Sequence, residues 1–300
     1  MDDLRMLRLV RARRSLDGLA LGDAMGRALV EIGSGRPAFR EAPWRYTDDT
    51  EMAIAIVTTL AAHGRIDQDA LALEFARRFS AAPERGYGAI AYWMLTRISE
   101  GQPWREVART PYDGQGSQGN GAAMRVAPLG AYFADDLDRV VLEAEASAVV
   151  THAHPEGRAG AIAVAVAAAI TATAAQGAKS APHLWDEVLR RTPPGDTHAG
   201  LELAASFLGI PPRDASRRLG TGRRILASDT VPLAIWCAAS HLDDYQAAIL
   251  AAIEAFDSPD SDADTTCAIV GGIVALSAAP ETVPPRWKQH REPLPKDGAG

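Results

Sequence analysis

From Ala159 to Gly177 the chain carries no charged side chain, and most of the run is alanine. Length alone would let such a segment cross a bilayer. Alanine gains little on transfer to lipid, however, and Thr171, Thr173 and Gln176 interrupt the run. The better reading is a central helix buried on all sides, whose small side chains allow close neighbours. Such a helix needs a shell of other helices around it, and no membrane.

The rest of the sequence can supply that shell. Apolar positions at helical spacing predict helices over Leu4–Met25, Asp48–His63 with a stop at Gly64, Asp67–Phe79, Gly88–Ile98 and a short Pro103–Arg109. Further on, Asp136–Thr151 is strongly amphipathic, and Pro155 starts the alanine-rich helix. Leu184–Arg191, Ala199–Leu208, Pro212–Arg218, Thr230–His241 capped by Asp229, Asp244–Phe256 and Cys267–Leu276 follow. The first helix is expected to end in Gly22-Asp23-Ala24-Met25-Gly26. No run of alternating β-branched residues appears. The expected fold is all-α, a compact orthogonal multi-helix bundle forming one domain over residues 1–280. Past Pro280 the composition turns to Pro, Arg, Lys and Gly, which predicts an extended or disordered tail over 281–300.

Two short stretches carry most of the chemistry. Thr47-Asp48-Asp49-Thr50-Glu51 opens one apolar helix, and Ser261-Asp262-Ala263-Asp264-Thr265-Thr266 opens another far downstream. Taken singly, Asp48 with Glu51 three residues on fits a capping box. Taken together, the two helix starts offer carboxylate and hydroxyl oxygens without sulfur or imidazole, a donor set suited to Mg²⁺ or Mn²⁺. Between them lies Gly114-Gln115-Gly116-Ser117-Gln118-Gly119-Asn120-Gly121, a loop with uncovered backbone N–H groups ahead of an apolar helix start. Loops of this kind cradle phosphate, although the spacing matches neither a P-loop nor a dinucleotide fingerprint. His152 and His154 stand at a helix junction, and at most one of them reads as a substrate contact.

Charge narrows the functions further. A net charge of −7 without any basic block argues against nucleic-acid binding. The start Met1-Asp2-Asp3-Leu4-Arg5 lacks the basic and apolar pattern of a signal peptide. Cys237 and Cys267 lie in apolar contexts as reduced core thiols, so a cytoplasmic location is expected.

Five motifs in order, Gly18–Gly26, Tyr46–Thr50, Gly116–Arg125, Thr151-His152 and Asp262–Thr265, resemble those of the ADP-ribosylglycohydrolase family over about Arg13 to Ala278. The resemblance implies an all-α hydrolase with two divalent cations, Mg²⁺ or Mn²⁺, that releases ADP-ribose from an ADP-ribosylated protein or an ADP-ribose-containing small molecule. It implies Thr47, Asp48, Asp49, Asp262, Asp264 and Thr265 as metal ligands. Gly116, Ser117, Gln118, Gly119 and Asn120 would hold the diphosphate and neighbouring ribose, and His152 a ribose hydroxyl. The family's further glutamate corresponds best to Glu31, one residue later than usual. Hydrolysis through an oxocarbenium-like transition state needs a proton-handling carboxylate, and Asp49 and Glu31 both qualify. Two rival classes remain: a catalytically silent ADP-ribose-binding protein, and an isoprenoid synthase. The latter would need a third acid where Met52 stands.

Overall fold

The structure, a computed structural model, describes residues 3–31, 37–173, 180–256 and 261–295. The fold is all-α, with fifteen α-helices among the described residues. In chain order they begin with α1 (Asp3–Ala28), α2 (Asp48–His63), α3 (Gln68–Ala81), α4 (Ala89–Ser99), α5 (Trp104–Val107), α6 (Ala127–Tyr132) and α7 (Leu137–Ala148). They continue with α8 (Pro155–Thr173), α9 (Ala181–Arg191), α10 (Asp196–Ala205), α11 (Pro212–Leu219), α12 (Ala227–Ser240), α13 (Tyr245–Ala255), α14 (Ala263–Val274) and α15 (Pro285–His290). Two short antiparallel strands, β1 (Leu29–Glu31) and β2 (Ala38–Phe39), follow α1.

Helix α8 is the alanine-rich segment. By length and composition it could cross a membrane, yet 78% of its most apolar window is buried inside the fold. Helices α6, α7, α9, α12 and α14 pack around it. Its small side chains set the distances: a Cβ added at Gly130 of α6 would lie 2.0 Å from the Ala165 carbonyl oxygen.

The pair α1 and α14 positions the site. Helix α1 does not end at Gly22–Gly26 as the sequence suggests but runs through both glycines to Ala28. The glycines are contact surface rather than breakers. Gly18, Gly22 and Gly26 recur every four residues and so share one face of the helix. That face lies directly on the α14 backbone, in antiparallel register. A Cβ at Gly18 would stand 2.5 Å from Gly271 O, at Gly22 2.0 Å from Cys267 O, and at Gly26 2.3 Å from Ala263 O. Side-chain bonds lock the register: Ser15 Oγ donates to Gly272 O at 2.7 Å, and Tyr245 Oη to Gly18 O at 2.7 Å. The antiparallel pairing brings the N-terminus of α14, with Asp262 and Asp264, to the C-terminal turns of α1.

The residues after Pro280 differ from the expected tail. Among the described part, Pro285–His290 is helical and Trp287 is buried. Trp44 N donates to His290 O at 2.7 Å and Glu292 N to Trp44 O at 3.0 Å. Glu292 Oε1 accepts from Tyr46 N at 2.9 Å and also binds Arg85. Apolar anchors among the prolines, Trp287 above all, give this segment enough burial to dock. It braces the chain just before Thr47. Residues 296–300 of the expected tail lie outside the described residues.

Candidate functional site

Asp23, which the sequence reading passed over, is the hub of the site. It has no solvent exposure and accepts from four donors on the second motif. Thr47 N reaches its carboxylate at 2.9 Å, Thr47 Oγ1 at 2.9 Å, Thr50 N at 3.2 Å and Thr50 Oγ1 at 2.5 Å. A buried carboxylate on α1 thus fixes the first turn of α2. The visible signal was an acid between two glycines, but its meaning depends on the α1–α14 contact.

Helix α2 opens differently from the expected capping box. Thr47 is the N-cap, its oxygen accepting from Asp49 N at 3.3 Å. Glu51 turns away to Arg78 at 2.7 Å and Arg85 at 3.5 Å. Asp48 and Asp49 are left buried in the first turn, where the helix dipole favours negative charge. Helix α14 starts at Ala263, four residues before the expected Cys267, which puts Asp264 and Thr265 in its first turn too. Asp262 sits at its N-cap, held by Asn120 Nδ2 at 2.5 Å. The same amide donates to Thr230 Oγ1 at 2.9 Å. Asn120 therefore ties the glycine-rich loop to the second acidic motif. Asp229, expected as the cap of α12, lies inside that helix and accepts from Arg224 N at 2.8 Å, shaping the 220–226 loop instead.

Five carboxylates from three segments, Asp23, Asp48, Asp49, Asp262 and Asp264, are thereby gathered. Burial pushes Asp23 up to about 7, aided by the charge of Asp264. Burial and then the charges of Asp23 and Asp264 push Asp48 up to about 8. Asp49 and Asp262 are raised well above the usual range, by burial first and their acidic neighbours next. Thr47 Oγ1 lies 2.9 Å from Asp23 and 2.8 Å from Asp49 Oδ2. A hydroxyl has one proton, so both contacts are hydrogen bonds only when one carboxyl holds a proton as well.

The chemistry of the set fits hard cations. All the donors are oxygens, and Asp49 Oδ1 is buried without a partner. Among the described residues, no three acid, cysteine or imidazole side chains close around one point as a ligand shell. The acids are collected rather than fully converged. The Glu31 side chain lies outside the described residues; its backbone ends strand β1 opposite Ala38.

The glycine-rich loop lies against the 220–226 loop: Asn120 N donates to Ile225 O at 3.2 Å, and Ala227 N to Gln118 O at 3.1 Å. Gly114 and Gly116 both have positive φ, +86° and +79°, and at Gly116 an added Cβ would also stand 2.7 Å from Ala153 Cβ. Gly119 has an ordinary φ of −63° but faces His152. Burial pushes His152 down to about 3, so the ring is neutral at physiological pH. His154 instead accepts from Glu156 N at 3.1 Å, at the start of α8. A cleft of about 320 Å³ opens on Thr47, walled by Arg27, Trp44, Tyr46 and Arg85.

A model of the ADP-ribosylglycohydrolase family matches residues 5–297. The chain is similar to the ADP-ribosylhydrolase ARH3 of Bos taurus, 31% identical, with 95% of this chain and 89% of that protein covered. It is also similar to the ADP-ribosylarginine hydrolase Tri1 of Serratia proteamaculans (strain 568), 26% identical, covering 91% and 74%. A solved chain of an ADP-ribosylglycohydrolase-related protein complex superposes with a TM-score of 0.67 at 20% identity. It covers 96% of this chain and 94% of its own, which shows the shared fold. With the family model matched over nearly its whole length, the chain belongs to the ADP-ribosylglycohydrolase family.

Proposed function

We propose that the chain is a divalent-cation-dependent hydrolase that frees ADP-ribose from a modified protein side chain or an ADP-ribose-containing small molecule. Family membership makes it a glycohydrolase of ADP-ribosyl bonds. The observation that carries the cation dependence is the gathering of five carboxylates at the facing ends of α1, α2 and α14, with Asp23, Asp48 and Asp49 buried, Asp262 and Asp264 half-buried, and Asp49 Oδ1 left unpartnered. Thr47, Asp48, Asp49, Asp262, Asp264 and Thr265 would hold two Mg²⁺ or Mn²⁺ ions. When bound, such ions supply Lewis acidity toward ribose hydroxyls and water.

The remaining roles fall to the chain's own groups. Asp23 holds Thr47 and Thr50 in place. Gly116 N already donates to Pro111 O at 3.0 Å and Gly119 N to Ser117 Oγ at 3.2 Å, so the Ser117 and Gln118 N–H groups between them would serve the diphosphate, and His152 would offer a ring N–H to a ribose hydroxyl. Asn120 anchors that loop to Asp262. Asp49 or Glu31 would move the proton at the reacting centre. A cytoplasmic location suits the two buried free thiols, Cys237 and Cys267.

The test is release of free ADP-ribose from a panel of arginine-linked, serine-linked and O-acetyl substrates, with Mg²⁺, with Mn²⁺ and with chelator. Release in a cation and none in chelator is expected. Full release after exhaustive chelation would end the cation assignment, and binding without release would make the chain a binding protein.

Cation loading is also expected to appear in stability. A carboxyl raised on folding stabilises fully below its unfolded pKa of about 4 and loses that contribution as pH rises through its folded value. For Asp23 and Asp48 the loss runs up to pH about 7 to 8. The chelated protein should therefore lose stability from pH 5 to 8.5. Cations bind the ionised acids, so added Mg²⁺ or Mn²⁺ should raise Tm by several degrees at pH 8.5 and little at pH 5. One site at a hundredfold excess over Kd contributes about 2.7 kcal/mol. Equal shifts at both pH values, or none, would contradict the assignment.

Gly116→Ala is expected to weaken ADP-ribose binding about tenfold or more, read by calorimetry. The added Cβ forces a left-handed residue costing roughly 1–2 kcal/mol and meets Ala153. Gln118→Ala should change Kd by no more than about threefold. Equal effects from the two would move the diphosphate elsewhere.

A further inference from the structure

Arg125 has no solvent exposure and, among the described residues, no carboxylate partner. Its guanidinium lies 4.4 Å from the centre of the Phe75 ring, and Nη1 approaches Met52 Sδ at 3.6 Å. Nη2 donates to Ser147 O at 3.2 Å and to Thr151 Oγ1 at 2.8 Å, while Nε is buried without a partner. Burying a cation this way is costly, and Asp48 offsets that cost only through its charge, without an ion-pair contact. The one side-chain hydroxyl it reaches leads directly to the site.

Thr151 Oγ1 lies 2.8 Å from His152 Nδ1 and is buried. Arginine has no acceptor, so its proton occupies an oxygen lone pair of Thr151. The threonine's own proton then has one acceptor among the described residues, His152 Nδ1. A neutral imidazole that accepts at Nδ1 carries its proton on Nε2. That edge of the ring looks into the glycine-rich loop: a Cβ added at Gly121 would meet Nε2 at 3.0 Å, and one at Gly119 at 3.4 Å. A carbonyl or carboxylate in place of Thr151 would accept from Nδ1–H and leave a lone pair on Nε2, as metal-binding histidines require. Here the polarity is reversed.

We propose that Arg125, acting through the Thr151 hydroxyl, fixes His152 as the Nε2–H tautomer and presents that N–H to the ligand held by the glycine-rich loop. Arg125 and Thr151 are then positioning residues for ligand recognition, and His152 is a hydrogen-bond donor rather than a metal ligand. The ligand half of this statement rests on the ADP-ribose reading above; the tautomer half does not.

The two halves separate in one experiment. Two-bond ¹H–¹⁵N correlation spectra of ligand-free, ¹⁵N-histidine-labelled protein report each tautomer directly, with His152 assigned by loss of its signal in His152→Gln. Wild type is expected to show Nε2–H. Thr151→Val should shift His152 to a mixture or to Nδ1–H and raise the Kd for ADP-ribose about tenfold, whereas Thr151→Ser should restore both. A purely structural role for Thr151 would change Tm without changing the tautomer. Wild-type His152 as Nδ1–H, or a tautomer unchanged in Thr151→Val, would overturn the relay. Nε2–H in wild type with ADP-ribose bound by calorimetry but no response of His152 would overturn the ligand contact and leave the tautomer relay standing, whereas no ADP-ribose binding at all would overturn the ADP-ribose reading. Arg125→Met, should it fold, is expected to reproduce Thr151→Val.

Discussion

Asp49→Asn and Asp264→Asn are each expected to lower turnover of an ADP-ribosylated substrate by roughly 10³-fold or more, several kcal/mol of transition-state stabilisation. The two acids come from different helix starts, α2 and α14, and in the proposed cation site each start would supply only part of the oxygen ligand set. Residues that act as one unit are not additive, so the double variant should lose at most about another tenfold. Stability separates this loss from misfolding. Burial and four neighbouring acids already disfavour the charge on Asp49. Removing that charge should leave the chelated protein melting at or above the wild-type temperature. Either single variant retaining a tenth of wild-type turnover would remove its acid from the cation site.

Gly22→Ala is expected to be among the most damaging single-methyl changes at the described residues. The added Cβ falls 2.0 Å from Cys267 O and 2.7 Å from its carbonyl carbon, more than an ångström inside ordinary contact. Both obstacles are helix backbone, so α1 and α14 must separate instead of one side chain turning aside. Overpacking costs about 1–3 kcal/mol where the surroundings yield, and a backbone wall puts this site at or above that range. Separation also draws Asp262 and Asp264 away from Asp23, so turnover should fall further than the loss of folded protein explains. Gly88→Ala is the control, because nothing lies within 4 Å of its added Cβ and its φ is −60°. That variant should stay within about 0.5 kcal/mol of wild type. Equal melting temperatures for the two variants would mean that the α1–α14 contact is looser than the structure has it.

Much of the fold was legible because it is local. The 3.6-residue period located most of the helices, Gly64 stopped α2 in a left-handed C-cap, and Asp67, Asp136 and Asp244 each cap the helix they precede. Errors arose where tertiary contact overrides local preference. Glycines that look like breakers in α1 are the face that meets α14, and Asp229 spends its carboxylate on a loop rather than a cap. The prolines after Pro280 hide a docked helix anchored by Trp287. The site shows the same division. Asp48, Asp49, Asp262 and Asp264 stand out as acids at helix starts. Asp23 shows locally only as an acid between two glycines and Arg125 only as the end of the glycine-rich motif, because their roles come from burial against segments far away in sequence. Sequence spacing also could not distinguish Asn120 as a ligand contact from Asn120 as the strut it forms with Asp262 and Thr230.

The antiparallel docking of α1 on α14 has a consequence for how the protein is made. Helix α1 ends at Ala28 and α14 begins at Ala263, so a growing chain completes the first long before it contains the second. At about 5–20 residues per second, α1 waits on the order of tens of seconds for the surface that covers its glycine face. During that interval Asp23 can already secure Thr47 and Thr50, but the acids of α14 are absent, and so is Glu292 that braces Tyr46. A partly synthesised chain therefore lacks the surface that covers the glycine face of α1, and its N-terminal half is the portion expected to need sheltering during synthesis.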